Sequence, residues 1–140
     1  MVEFQKRGLP HAHILLILAP EDKPRSAELI DNIVSAEIPN QQDDPVLYEI
    51  VVKRMFHGPC GPSHTNAACM LNGQCSKGFP KPFSQLTRVG NNSYPTYRRK
   101  EDSRYITNQF VYTNAWVVPY NSTLTKKYNC HINVEITTGM

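Results

Sequence analysis

The sequence predicts an α+β fold, with a mainly antiparallel sheet, one or two packed helices and a long irregular insert. Three observations support this class: short strand-like segments near both ends of the chain, two segments with helix-start residues between them, and a region rich in Gly, Pro, Asn and Ser. With 140 residues, 40% of them hydrophobic, the chain is long enough for one domain with a core. We therefore treat residues 1–140 as a single domain.

The first predicted element is a hairpin. Residues 2–5 alternate apolar and polar side chains, and residues 6–10 have the composition of a turn. Residues 11–18 then form the second strand, in which the consecutive apolar side chains of residues 14–18 predict burial.

Two helices are expected next. Ser26 can cap a short helix, and Asp44 followed by Pro45 is a favourable start for a longer one that ends at Gly58-Pro59. Apolar residues recur at helical spacing in both segments: Leu29, Ile30 and Ile33 in the first, and Leu47, Ile50, Val51 and Met55 in the second.

The second half of the chain is predicted to be mostly irregular. Residues 57–104 form the insert, in which little periodicity is visible. Residues 116–118 and 130–136 resemble strands, and residues 119–122 between them have the composition of a turn or loop.

Charge is distributed unevenly over the chain. Residues 21–49 contain eight acidic and two basic side chains, a net charge of −6, whereas residues 77–104 contain seven basic and two acidic side chains, a net charge of +5. A basic region of this kind is expected beside a polyanion. The longest apolar run is far too short to cross a bilayer and the first residues lack the order of a signal peptide, so we expect an intracellular protein without membrane contact.

His11 and His13 form the first candidate site. Side chains two positions apart on a strand project from the same face, so both imidazoles can reach one metal ion. A third ligand from the preceding strand would be Gln5, with Glu3 as the alternative. Two histidines at this spacing also occur as hydrogen-bonded core residues or as surface polar groups.

A second candidate site lies in the insert. His57, Cys60, Cys69 and Cys75 could hold zinc and cross-link this region, with His64 as a competing ligand and unligated thiols as the alternative. In an intracellular chain, four cysteines indicate reduced thiols or a metal site more than disulfides.

The insert also contains the candidate residues for binding nucleic acid. Its aromatic side chains, Phe79, Phe83, Tyr94 and Tyr97, could stack on unpaired bases or anchor a solvated loop to the core. The basic residues that could contact phosphates are Lys77, Lys81, Arg88, Arg98, Arg99 and Lys100, with 98–100 as the main contact.

Several segments of the chain resemble the Helitron helicase-like N-terminal domain, in the order in which that family has them. The longest is residues 3–16, EFQKRGLPHAHILL. The others are residues 35–39 (SAEIP), 57–61 (HGPCG), 75–83 (CSKGFPKPF), 94–99 (YPTYRR), 116–121 (WVVPYN) and 128–135 (YNCHINVE). The resemblance therefore covers nearly the whole chain.

This resemblance implies a nuclear rolling-circle transposase domain of the HUH nuclease superfamily, joined to a helicase in the parent protein. His11 and His13 would bind Mg²⁺ or Mn²⁺ at the scissile phosphate of single-stranded DNA. A tyrosine attacks the phosphorus in such enzymes, but the family's tyrosine motif follows the strand matched here by residues 133–135 and has no counterpart before Met140. Tyr128 is a weak substitute, expected to pack before a strand. We therefore expect a partial HUH-type domain that does not cleave DNA alone.

Two rival interpretations remain. The chain could be a non-catalytic nucleic-acid or protein binding module, or a decayed transposon remnant, whose histidine pair is structural. A histidine-triad phosphoesterase would also place histidines alternately along a strand, but no third alternating histidine follows His13. No glycine-rich loop ending in Lys-Ser or Lys-Thr is present either, so helicase activity is not expected from these residues.

Overall fold

The structure, a computed structural model, describes residues 2–4, 10–90, 94–107 and 110–137. It confirms the α+β class, but the strands form three separate two-stranded antiparallel sheets instead of one. The strands are β1 (Val2–Phe4) with β2 (Pro10–Ala12), β3 (Met70–Leu71) with β4 (Gln74–Cys75), and β5 (Arg104–Ile106) with β6 (Val111–Thr113). The described residues contain three α-helices, where the sequence predicts one or two. They are α1 (Ala27–Ile33), α2 (Pro45–Arg54) and α3 (Ser122–Tyr128).

Both predicted helices begin at the predicted caps. The side chain of Ser26 accepts a hydrogen bond from the Leu29 backbone N–H at 3.2 Å, and the side chain of Asp44 accepts one from Leu47 at 3.1 Å. These bonds satisfy backbone donors that have no partner within the first helical turn. Helix α1 buries Ile30, and α2 buries Leu47, Ile50 and Val51.

The main hydrophobic core lies between α2 and the segment that follows β6. Val118 donates its backbone N–H to the Met55 carbonyl at 2.8 Å, and Phe56 forms an isolated bridge with Val117. The buried members of this core are Ile38, Leu47, Val51, Met55, Val117, Val118 and Tyr120. A second cluster of Ile30, Val34, Ala36 and Tyr97 packs α1 against the end of the insert.

The prediction of strands at residues 116–118 and 130–136 is wrong. Trp116 ends a 3₁₀ turn, Asn114–Trp116, and Val117 makes only the isolated bridge to Phe56. Residues 130–136 have no strand assignment; they are held by single hydrogen bonds, such as that from Val134 N–H to the Pro119 carbonyl at 3.0 Å. Their alternating apolar residues pack against α1 without a neighbouring strand.

The predicted turn or loop at residues 119–122 leads directly into a helix that the sequence did not predict, α3. The side chain of Asn121 accepts a hydrogen bond from the Leu124 backbone N–H at 3.0 Å, which makes it a helix cap. The same side chain donates to the Ile33 carbonyl at 2.8 Å and so joins the end of α1 to the start of α3. Tyr128 is the last residue of this helix, not a residue leading into a strand.

The predicted burial of residues 14–18 is also wrong. Strand β2 ends at Ala12, and all five apolar side chains that follow are exposed. Among the described residues, no element of the chain covers them. Within the same described ranges, no helix has the length and apolar content needed to span a bilayer.

One buried asparagine joins three parts of the fold. Asn114 accepts a hydrogen bond from the Ile38 backbone N–H at 2.7 Å and donates one to the Lys100 carbonyl at 2.8 Å. Its own backbone carbonyl accepts a bond from Arg99 at 2.7 Å. The end of the insert is thereby fixed to the core.

Candidate metal centre and the surrounding basic residues

Four potential ligands converge inside the insert. One ligand atom from each of His57, Cys60, Cys69 and Cys75 lies within 4.8 Å of the other three, and the Cys75 Sγ is 3.3 Å from the His57 Nε2. Sulfur ligands of one tetrahedral zinc ion are about 3.8 Å apart. Three sulfurs and one imidazole nitrogen at these separations form a cluster that could bind a metal such as zinc.

The first two ligands, His57 and Cys60, follow α2 and pack against the 3₁₀ turn Asn114–Trp116. The His57 backbone N–H donates to the Trp116 carbonyl at 2.8 Å, and Cys60 is buried beside Ala115 and Trp116. Gly58 between them has a φ of +108°, and a Cβ atom there would lie 3.1 Å from the Trp116 ring. Glycine therefore permits both the backbone conformation and the close approach of the ring.

A tight hairpin positions the other two ligands. Strands β3 and β4 pair Met70 with Cys75, and the Ser76 N–H donates to the Cys69 carbonyl at 2.7 Å. Asn72 and Gly73 form the two-residue loop, with φ values of +54° and +81°. Asn-Gly is the preferred sequence for such a turn, and this signal was overlooked in the sequence.

The electrostatic environment differs between the ligands. Burial, together with hydrogen bonds to the Cys69 and Cys75 thiols, raises the pKa of Cys60 to about 12. Burial acts in the same direction on Cys75, but hydrogen bonds from the backbone N–H groups of Phe79 and Lys77, and from the neighbouring thiols, bring its pKa below the usual value. Cys75 is therefore the thiol best prepared to bind as a thiolate.

His57 is prepared to bind as a neutral imidazole. Burial lowers its pKa, and the nearby charges of Lys77, Lys81 and His131 lower it further. Its ring stacks on Phe79, with centroids 4.3 Å apart and planes inclined by 15°. His64, the competing ligand, lies outside the cluster: its ring is edge-on to Phe110, and its Nδ1 is 3.0 Å from the Ser63 hydroxyl.

The side chains of His11 and His13 approach each other closely. The Nε2 atoms of His11 and His13 are 3.1 Å apart, and the rings meet edge to face with centroids 4.9 Å apart. Two nitrogens about 2.1 Å from one octahedral ion are about 3.0 Å apart, so this spacing fits a shared metal ion. It equally fits a hydrogen bond between the two rings.

The third ligand of this pair is not described. The Glu3 backbone is the direct partner of His11 in the β1–β2 register. Gln5, the preferred third ligand, lies outside the described residues.

The basic residues predicted to contact DNA occupy different environments. Lys77 and Lys81 adjoin the metal cluster: Lys81 donates to the Lys77 carbonyl at 3.0 Å and lies 5.0 Å from the centre of the Phe79 ring. Arg88 is exposed beside its bridge to Thr96, and Lys100 is half-buried, with its backbone N–H bonded to Glu37.

Arg99 is a structural residue. Its side chain is 4% exposed and donates to the carbonyls of Asn114 and Val117 at 2.7 and 2.8 Å. Burial lowers its pKa to about 10. We therefore remove Arg99 from the predicted DNA contacts. Arg98 remains partly exposed, but its Nε donates to the Glu37 carboxylate at 2.9 Å, so it is partly neutralised.

The aromatic residues of the insert also divide into two groups. Phe83 and Tyr94 are exposed, whereas Phe79 stacks on His57 and Tyr97 is buried in the cluster beneath α1. Tyr97 accepts a hydrogen bond from the Ile136 N–H at 2.9 Å. Only the first two rings are accessible to an unpaired base.

A scan of the chain against protein-family models finds no match, and a search of curated proteins finds no related sequence. The residues and their geometry therefore carry any assignment of function.

Proposed function

We propose that the chain is the metal- and DNA-binding part of a Helitron-type rolling-circle transposase domain, acting on single-stranded DNA in the nucleus. The convergence of the His11 and His13 Nε2 atoms, 3.1 Å apart, carries the proposal, because these residues occupy the metal positions of the Helitron-like motif. The resemblance of the remaining segments supports it.

His11 and His13 would hold Mg²⁺ or Mn²⁺, with Gln5 or Glu3 as the third protein ligand. The bound ion would polarise a phosphate oxygen of the DNA backbone. The two imidazoles would orient the ion from one edge of the β1–β2 hairpin, in which the Glu3 backbone is paired with that of His11. Other coordination positions would stay open for the phosphate.

The His57, Cys60, Cys69 and Cys75 cluster would hold zinc in a structural role. Four protein ligands fill a tetrahedral ion, which leaves no position for a substrate. Zinc would fix the loop that carries Lys77 and Lys81, both close enough to His57 to lower its pKa. We propose five basic residues as phosphate contacts: Lys77, Lys81, the exposed Arg88, the partly exposed Arg98 and the half-buried Lys100.

Cleavage needs a tyrosine nucleophile, and the resemblance assigns that role to none of the seven tyrosines of this chain. Tyr97 and Tyr120 are buried, and burial raises the pKa of each to about 12. Tyr128 is exposed at the end of α3, where Lys127 lies 5.5 Å from its ring centre. We propose that this chain binds DNA and metal without cutting on its own, and that the tyrosine and helicase functions belong to other segments of a parent protein.

A second candidate function is that of a zinc-stabilised, non-catalytic binding module. The four-ligand cluster favours it, because it is complete within the described residues, whereas only two ligands of the histidine pair are described. In this module, and equally in a decayed transposon remnant, the two imidazoles would bond to each other without an ion.

Manganese titration of the zinc-loaded chain, followed by electron paramagnetic resonance, separates the two functions. The transposase proposal expects one Mn²⁺ per chain, at least a tenfold loss of affinity in His13→Ala, and unchanged binding in the control His64→Ala. Fluorescence anisotropy with labelled single-stranded DNA should show Mn²⁺-dependent binding in the parent chain and in His64→Ala, and no Mn²⁺ dependence in His13→Ala. Equal Mn²⁺ affinity in the chain and His13→Ala would reject the proposal and favour the module.

A further inference from the structure

Residues 14–18 form an exposed apolar strap, the sequence Ile-Leu-Leu-Ile-Leu that follows β2. The five residues retain between 42% and 80% of their full accessible surface. Their combined area is roughly 600 Å², which reaches the size at which exposed apolar patches mark interaction surfaces. Nothing in the proposed DNA or metal chemistry uses this surface.

The strap lies between two extended parts of the backbone. Strand β2 ends at Ala12, and Ala19 has an extended conformation, with φ −60° and ψ 152°, before the 3₁₀ turn that begins at Pro20. None of the described strands pairs with residues 14–19. An unpaired strand edge presents N–H and C=O groups that another strand can bond.

We propose that the strap pairs antiparallel with the same segment of a second copy of this chain, forming a two-fold dimer. Pairing centred on Leu16 places Ile14 opposite Leu18 and Leu15 opposite Ile17, so every apolar residue meets an apolar partner. Two-fold pairing of one surface with itself is the commonest way in which identical chains associate.

The residues on either side of the strap favour the antiparallel direction. Glu21 and Asp22 follow it, and His11 and His13 precede it. Antiparallel pairing brings the acidic end of each copy next to the histidine end of the other, whereas parallel pairing would place the acidic ends together. The same arrangement puts carboxylates of a second copy near the His11–His13 pair.

The area sets an upper limit on the interface. Two straps expose roughly 1,200 Å² in total and edge-to-edge pairing buries only part of it, so we expect a weak dimer that forms at roughly 10–500 μM. Sedimentation velocity across that range should show conversion from one to two copies. Leu16→Lys should weaken the association at least tenfold, since it places two cations on the axis.

The control is Ile106→Lys, which adds the same charge at an equally exposed apolar residue outside the strap. It should leave the dimer unchanged. Circular dichroism and metal content should match the parent chain in both variants, because the strap lies outside the three hydrophobic clusters.

Mixing copies tests the two-fold alignment. Leu16→Lys and Leu16→Glu should each be monomeric alone and should form a mixed dimer together, because opposite charges then meet on the axis. Four results would overturn the proposal. The parent chain could stay monomeric at every concentration or form assemblies larger than a dimer. Ile106→Lys could weaken the dimer as much as Leu16→Lys does, or the mixed dimer could fail to form. Uptake of a monomeric chain by phosphatidylcholine vesicles through the strap would overturn it as well.

Discussion

The Nε2 atom of His57 lies 3.3 Å from the Sγ atom of Cys75, although the residues are separated by a cis proline bond, a buried cysteine and a hairpin. The segment that follows α2 supplies His57, and β4 supplies Cys75. A metal held between them would cross-link a region that has little regular secondary structure. The stability of this region should therefore depend on that metal.

Replacing Cys75 with serine should remove stoichiometric zinc and destabilise the chain. The change removes the thiol whose pKa the backbone N–H groups hold below its usual value. Elemental analysis of chain purified without chelators, together with thermal unfolding, measures both effects. Cys130→Ser is the matched control, because Cys130 is outside the cluster, and should retain the zinc. Less than stoichiometric zinc in the parent chain would contradict the zinc proposal.

Replacing Gly73 with valine should weaken metal binding without touching a ligand. The residue has a φ of +81° in the hairpin loop, which a β-branched side chain adopts only with strain. Strain there would displace Cys75 from Cys69. Competition with a zinc-binding dye should show lower affinity, whereas Asn66→Val, an exposed position before the hairpin, should not change it.

Replacing Arg99 with methionine should reduce the free energy of unfolding by about 2–4 kcal/mol, because two buried carbonyl groups lose their donor. Chemical denaturation measures the change.

Arg88→Gln is the matched control. It should keep the free energy of unfolding of the parent chain, lower the affinity for single-stranded DNA, and make that affinity depend less on salt concentration. A stable Arg99→Met chain with weakened DNA binding would restore Arg99 as a contact.

The chain should unfold in alkali as its buried tyrosines ionise. Burial raises the pKa of Tyr97 and Tyr120 from 10.0 to about 12. Stability from this difference is fully present below pH 10 and is lost as the pH rises towards 12, because the unfolded chain releases these protons first. Absorbance at the tyrosinate band should rise in step with loss of circular dichroism. Tyr97→Phe should remove one buried phenol from the titration.

The sequence predicted the helices whose first residues are capped by a nearby side chain. The caps at Ser26 and Asp44 identified α1 and α2 because each cap bonds a backbone group three residues away. Asn121 has the same role, but the turn composition around it concealed α3. Residues 130–136 alternate as a strand does, yet strand formation needs a partner elsewhere in the chain, which no local pattern specifies.

The residues of the candidate zinc site could be predicted from the sequence, but their arrangement in space could not. The spacing of His57, Cys60, Cys69 and Cys75 does not exclude His64 as a competing ligand, and only the three-dimensional path of the chain places His64 outside the cluster. Arg99 was misassigned because a basic residue between basic neighbours looks exposed in sequence, while its burial depends on carbonyls of residues 114 and 117. Glu37, which bonds Arg98 and the Lys100 N–H, gave no signal in the sequence at all.

The bonds of Asn114 divide the insert into parts that should evolve at different rates. Its contacts with Ile38 and Lys100 anchor one end of the insert, and the contacts among His57, Cys60, Cys69 and Cys75 lie at the other. Gln85 and Leu86 are exposed between these anchors and take part in neither set of contacts. Related chains should therefore differ in length and composition there, while the cysteines and the asparagine at the two anchors stay the same.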